Sequence, residues 1–205
     1  MSSLTTRTPA LASRRTFLTG AAAALAVGLT GAALALPDQA NAAAYQQPDA
    51  WGGFTNGNIP TSRLAPVADG SHVRADAAVA YNSMAAAFQS AFHKPLSVTQ
   101  GYRPLKQQLS IFESRYTPHK NKVAGSVFWA GLYWTLNKGQ SVAAAPGTSV
   151  HGWALAIDFS SGVQTAGSAQ KKWADKNGPT FGWFPIGNSF GEAWHFEFTP
   201  PKAKK

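Results

Sequence analysis

Apolar residues recur at three- and four-residue steps from Arg74 to Phe92, at Ala78, Tyr81, Met84, Ala85, Phe88 and Phe92. That spacing predicts a helix with one face in a core, with Pro95 marking its exit. Leu96 to Thr99 alternates and predicts a short strand. Gly101-Tyr-Arg-Pro104 then turns the chain into a second helix over 105–115, where Pro104 suits the first turn. Ala154 to Phe159 alternates with period two. Ala154, Ala156 and Asp158 share one face of that predicted strand, and Leu155, Ile157 and Phe159 share the other. Gln164 to Asn177 predicts a surface helix with Trp173 turned inward, stopped by Gly178-Pro179. Phe181–Phe184 and Trp194–Phe198 predict the last strands. In the latter, Trp194, Phe196 and Phe198 face one way, and His195 and Glu197 the other.

Elsewhere the pattern is weaker. Residues 43–70 hold Gly52, Gly53, Gly57, Pro60 and Pro66 and predict loop and turn, with Asn56-Gly57 a tight-turn signal. Ile59, Leu64 and Val67 are expected to tack this arm onto the core. Residues 117–122 predict a polar loop. Val127 to Trp134 is apolar on every side, so its period does not decide helix against strand. Residues 143–148 predict a loop, and no internal repeat is visible. The whole predicts an α+β fold with a small antiparallel sheet flanked by helices.

The first 42 residues stand apart. Ser13-Arg-Arg-Thr-Phe-Leu18 precedes an Ala- and Gly-rich apolar run from Gly20 to Leu36, and Ala40-Asn-Ala42 offers a small-residue cleavage site. Paired Arg14 and Arg15 before a weakly hydrophobic segment resemble a twin-arginine export signal. A membrane anchor is the alternative, but the Gly and Ala content gives weak insertion energy. The expected organisation is a leader over 1–42, a domain over 43–199 and a basic tail over 200–205. The protein would be exported by the twin-arginine route and be extracellular or wall-associated. The sequence has no Cys, so a disulfide framework, a thiolate metal site and lipoprotein attachment are all excluded. The net charge of +9 comes from scattered basic residues in a chain only 13% charged. That is no nucleic-acid motif, and a basic surface also suits an acidic polymer such as a bacterial cell wall.

Two short stretches hold the candidate chemistry. Ser149 to Asp158 places His151 and Asp158 seven residues apart, and Glu192 and His195 stand three apart. Two His and one Asp make a three-donor zinc site with a fourth position open, and the remaining Glu can move protons. The alternative for a histidine is an ordinary surface or hydrogen-bonded residue, the reading for His72, His93 and His119. With no HExxH signature and the two stretches 37 residues apart, spacing alone leaves both readings open for His151 and His195. Glu197 is either a partner orienting a ligand or an exposed strand carboxylate. Trp153, Trp183 and Trp194 either wall a cleft or fill the core.

Ser149-x-His151-(x6)-Asp158 followed by Glu192-x-Trp194-His195 resembles the VanY-type zinc D-alanyl-D-alanine carboxypeptidases and related peptidoglycan endopeptidases, which share the Hedgehog-like zinc peptidase fold. Asn56-Gly-Asn-Ile-Pro60, Arg74-Ala-Asp-Ala-Ala78, Gly101-Tyr-Arg103 with Gln108, and Pro146 to Trp153 extend the likeness over roughly residues 50–199. The resemblance implies one zinc ion on His151, Asp158 and His195, Glu192 as general base and acid, and Arg103 as oxyanion stabiliser. It implies Gln108 and Ser149 as cleft-lining, substrate-binding residues. The substrate implied is a peptidoglycan stem peptide that loses its terminal D-Ala. Cleavage inside the stem, such as at L-Ala–D-Glu, is the alternative, and a non-catalytic wall-binding module is a third reading. A monomer is expected, with neither nucleic acid nor a stable membrane anchor as partner. Two departures stand out: Ala154 where the family has Gly, and residues 116–142, which match poorly.

Overall fold

The computed structural model describes residues 45–200. The leader and the tail beyond Pro200 lie outside the described residues. The chain opens with an arm of turns and a two-stranded ribbon, β1 (Ala65–Pro66) and β2 (His72–Val73). Helix α1 (Ala75–Phe92) follows and buries Ala77, Ala78, Tyr81, Met84 and Phe88. Arg74 caps it with extended backbone, and its guanidinium grips Asp76 of the first turn at 2.6 and 2.7 Å. His93 ends it in the left-handed conformation at φ 55°, two residues before Pro95.

A four-stranded antiparallel sheet takes the order β3-β7-β9-β8, from β3 (Val98–Gln100), β7 (Ala156–Phe159), β8 (Trp183–Phe184) and β9 (His195–Phe198). The apolar face of β7 and β9 supplies Ile157, Phe159, Phe196 and Phe198 to one core with the α1 stripe. All four are at most 1% exposed, and each such side chain contributes ~2–3 kcal/mol by leaving water. Trp183 is fully buried in that core, and Trp153 packs at its margin. Helix α3 (Ala169–Asn177) closes the far side, with Trp173 edge-on to Phe88 at 5.5 Å.

Helix α2 (Leu105–Arg115) leads directly into a second sheet, ordered β4-β6-β5, from β4 (Tyr116–His119), β5 (Val127–Trp129) and β6 (Leu132–Leu136). Its inner face packs Tyr116, Trp129 and Trp134 on Phe112 of α2.

Several sequence expectations need correction. The polar loop expected over 117–122 begins as strand β4, because every residue of β4 pairs with β6. The undecided segment 127–134 is a hairpin turning at Ala130-Gly131, both at positive φ. The strand expected from Ala154 begins at Ala156, because Ala154 itself is left-handed at φ 56°. That conformation favours Gly, which gives a physical reason for the residue the family has there. The helix expected from Gln164 starts only at Ala169. Gly162 and Gly167 sit at φ 98° and 78°, and the Ser168 side chain accepts the cap bond from Lys171 N at 2.9 Å. Residues 178–181 form a 3-10 turn before the short β8.

Candidate metal centre

Asp158 on β7 and His195 on β9 are direct cross-strand partners. Antiparallel partners project to the same face, so the register alone brings a carboxylate and an imidazole from 37 residues apart into contact. His195 Nδ1 lies 3.0 Å from Asp158 Oδ1. His151 arrives from a 3-10 turn, Val150–Trp153, which precedes β7. Its Nε2 lies 3.2 Å from His195 Nδ1 and 3.3 Å from Asp158 Oδ1. Zinc bonds of ~2.0–2.1 Å in tetrahedral array set neighbouring donors ~3.3 Å apart, so the three atoms have the edge lengths of one face of such a site.

The two rings are oriented from behind. His151 Nδ1 donates to Gly101 O at 2.9 Å, which leaves the Nε2 lone pair facing the cluster. His195 Nε2 meets Glu197 Oε1 at 3.1 Å, and the Tyr45 hydroxyl donates to the other oxygen of Glu197. Glu197 is therefore buried and bonded to a candidate ligand, not an exposed strand carboxylate. A carboxylate behind a ligating imidazole fixes its tautomer and raises its basicity. The donor set, the tautomer at His151 and the backing of His195 all fit a divalent ion with nitrogen and oxygen ligands.

Burial works to raise the Asp158 carboxyl, but hydrogen bonds from His151 and His195 outweigh it and hold it well below the usual range. Burial pushes the His151 imidazole down, toward the neutral form a ligand needs. At His195 burial is outweighed by hydrogen bonds to Asp158 and Glu197, which lift it to about 9. Burial also raises the Glu192 carboxyl, with His195 opposing and Asp158 reinforcing.

Glu192 is held beside His195 by a close packing of loops. Its N–H donates to Gly187 O at 2.9 Å, and its carbonyl accepts from His195 N at 3.0 Å. A Cβ on Gly187 would lie 2.1 Å from Glu192 O and 2.7 Å from His195 Cβ, so only glycine allows this approach. Arg103 comes from the Gly101–Pro104 turn, whose Gly101 carbonyl accepts the His151 bond. Its N–H donates to His151 O at 3.0 Å, and its guanidinium donates to Gln108 Oε1 at 2.9 Å and lies 3.8 Å from Asp158. Its Nε is buried without a partner among the described residues. Gln108 is anchored in turn to Ala144 O at 2.6 Å. Ser149 is buried beside His151, and its hydroxyl makes no cap bond.

All seven residues singled out from sequence, His151, Asp158, His195, Glu192, Arg103, Gln108 and Ser149, thus gather at one end of the four-stranded sheet. His72, His93 and His119 stay outside the cluster, and His119 Nε2 meets Thr135 Oγ1 at 2.8 Å. Three further residues carried no signal that local pattern could read. Tyr45 backs Glu197 from 152 residues away. Phe190, 55% exposed, stands 5.7 Å from the His195 ring and gives the site an apolar wall. Arg115, seven residues after Gln108 and so on the same helical face, bonds Ser141 O and Val142 O.

The family model for VanY, D-alanyl-D-alanine carboxypeptidase, matches residues 70–201. A search of curated protein sequences found no match. Among solved structures the chain is similar to the LdcB LD-carboxypeptidase, at 23% identity over 71% of this chain and 72% of that one, with a TM-score of 0.50. It is also similar to VanYB in complex with D-Alanine-D-Alanine, at 20% identity over 80% and 85%, TM-score 0.47. A mutant of the vancomycin resistance D,D-pentapeptidase VanY in complex with Zn(II) gives 21% identity over 68% and 82%, TM-score 0.46.

Proposed function

The chain belongs to the VanY D-alanyl-D-alanine carboxypeptidase family, and from that premise we propose that it removes the terminal D-Ala from D-Ala-D-Ala ends of peptidoglycan stem peptides, using one zinc ion. The observation that supports this best is the buried triangle of His151 Nε2, His195 Nδ1 and Asp158 Oδ1, with edges of 3.0 to 3.3 Å. His151, Asp158 and His195 would hold the ion. Neutral imidazole and carboxylate oxygen are donors that suit zinc. What the ion supplies there is Lewis acidity, which makes water a nucleophile near pH ~7 and polarises a carbonyl.

The chain's own groups do the rest. Glu192, its carboxyl raised by burial, takes the proton of the attacking water and returns it to the departing amine of D-Ala. Arg103 has a buried Nε with no protein partner among the described residues, and it stabilises the negative charge that develops on the scissile carbonyl oxygen. Gln108 holds the Arg103 guanidinium in place at 2.9 Å. Ser149 lines the cleft beside His151. Phe190 offers an apolar face of a size to meet an alanine methyl.

The leader over 1–42 would take the folded protein across the membrane by the twin-arginine route, to an extracellular or wall-associated place of work. Among the described residues no helix is long and apolar enough to cross a membrane.

The test is digestion of a soluble stem pentapeptide, followed by mass analysis, with and without a chelator and with zinc restored. Loss of one alanine, abolished by the chelator and recovered with zinc, is the expected outcome. Two internal fragments would replace the carboxypeptidase reading with the endopeptidase one. Chelator-resistant cleavage would remove the metal from the mechanism.

A further inference from the structure

The second sheet, β4-β6-β5, takes no direct part in holding the metal cluster. Its inner face is spent on Phe112, but its outer face is open. Cross-strand pairing puts Thr117 with Thr135, His119 with Tyr133, and Phe128 with Tyr133 on that outer face. Phe128 is 62% exposed, and its ring centroid lies 5.0 Å from that of Tyr133. Around the two rings the polar groups are already paired. His119 Nε2 meets Thr135 Oγ1 at 2.8 Å, and Thr117 donates to Asn137 Oδ1 at 2.6 Å. The result is an exposed aromatic pair flanked by polar groups that already have partners.

The pair is apolar and its surroundings are cationic. Of the seven large hydrophobic residues exposed among the described residues, Phe128 lies on this outer face; Val127 and Leu136 stand opposite Trp134 and Tyr116 on the inner face, and Val123 and Val142 lie in the loops outside the strands. From Ser114 to Ile157 the sequence holds Arg115, Lys120, Lys122 and Lys138 and not one Asp or Glu. A partner must therefore offer flat apolar faces and negative charge. The sheet is also tied to the catalytic site through α2. β4 begins where α2 ends, and the α2 face that holds Arg103 through Gln108 also holds the 141–145 loop through Gln108 and Arg115.

We propose that the Phe128–Tyr133 face is a docking platform for the glycan strand of peptidoglycan. The negative face of an aromatic ring attracts the C–H face of a pyranose, and the lysines complement the carboxylates of the wall polymer. The platform rests on the stem-peptide reading given above. It raises the local concentration of stems at the catalytic site. It also assigns a role to the segment that departs most from the family pattern.

The test uses the full chain with Glu192→Gln, so that substrate is not consumed, and measures co-sedimentation with purified peptidoglycan sacculi. Phe128→Ala should weaken binding about fivefold. Phe128→Glu, which adds the missing acid, should weaken it further. Glycan strands stripped of their peptides should compete, and added salt should loosen the complex. In the otherwise unsubstituted enzyme, both Phe128 variants should cleave a soluble pentapeptide at the original rate, with melting temperatures unchanged. Sedimentation indifferent to Phe128 overturns the platform. So does competition by stem peptide but not by glycan, preferential capture by anionic lipid vesicles, or a dimer that dissolves on Phe128→Ala. A pentapeptide left uncut while Phe128-dependent sedimentation persists would instead sink the catalytic reading and leave the platform standing.

Discussion

Replacing Gly152 by Ala tests how the arm braces His151, a candidate ligand. A Cβ at 152 would lie 2.1 Å from Asn56 Oδ1, 2.6 Å from Cγ and 3.0 Å from Nδ2. Asn56 has little room to yield. It is buried, its Nδ2 donates to Ser149 O at 2.7 Å, and Gly57 N donates to Gly152 O at 2.9 Å. Overpacking of this kind costs ~1–3 kcal/mol. Expelling the Asn56 amide adds ~1 kcal/mol, the low end of the range, because Ser149 O keeps its second donor, Gly152 N at 2.9 Å. Gly152→Ala should therefore cost about 2–4 kcal/mol, or roughly 4–16 °C in melting temperature for a domain of this size. Asn56→Ala alone should cost about 1–2 kcal/mol. The double variant should cost little more than Asn56→Ala alone, because the atoms that clash are gone. The assay is a double-mutant cycle by urea denaturation of chelator-treated protein, so that metal binding at the neighbouring His151 does not enter. A coupling of about 2–4 kcal/mol, nearly the whole cost of Gly152→Ala, is expected. Additivity within about 0.5 kcal/mol would refute the argument that Asn56 and Gly152 fit only as a pair.

Glu192→Gln should retain zinc, by elemental analysis, and lose about 10²- to 10⁴-fold in kcat. Arg103→Ala should lose about 10²- to 10³-fold, ~3 kcal/mol or more of transition-state stabilisation, with metal content intact. Glu197→Gln should weaken metal affinity about 10- to 100-fold, read by competition with a coloured chelator. The His195 imidazole titrates at about 9 and must surrender its Nδ1 proton to become a ligand. Apparent affinity should thus climb as pH rises and level off above about 9. Zinc titration calorimetry in buffers of different ionisation enthalpy should then show about one proton released at neutral pH. Heats that do not depend on the buffer would count against a protonated His195.

Local pattern determined a good deal of this protein. The stripe Tyr81–Met84–Phe88 and the limits of α2 follow from helical period and a proline, because both act within a few residues. The alternation His195–Phe196–Glu197–Phe198 separated site from core correctly, because neighbouring strand residues must face opposite ways. The lack of cysteine closed off thiolate chemistry on composition alone, since no fold can supply a ligand the chain does not contain.

Other features depend on contacts between distant segments. Which face Asp158 meets is set by its register with His195. That is a property of two strands together, and neither strand records it. The strands at 116–119 and 127–136 read as loop or as ambiguous because their inner face packs on Phe112 while their outer face also bears aromatic residues, which erases the period. Tyr45 behind Glu197 and Asn56 against Gly152 are contacts across about a hundred residues or more. Nothing in a window of sequence encodes them; they exist because the folded chain brings those surfaces to the same few ångströms.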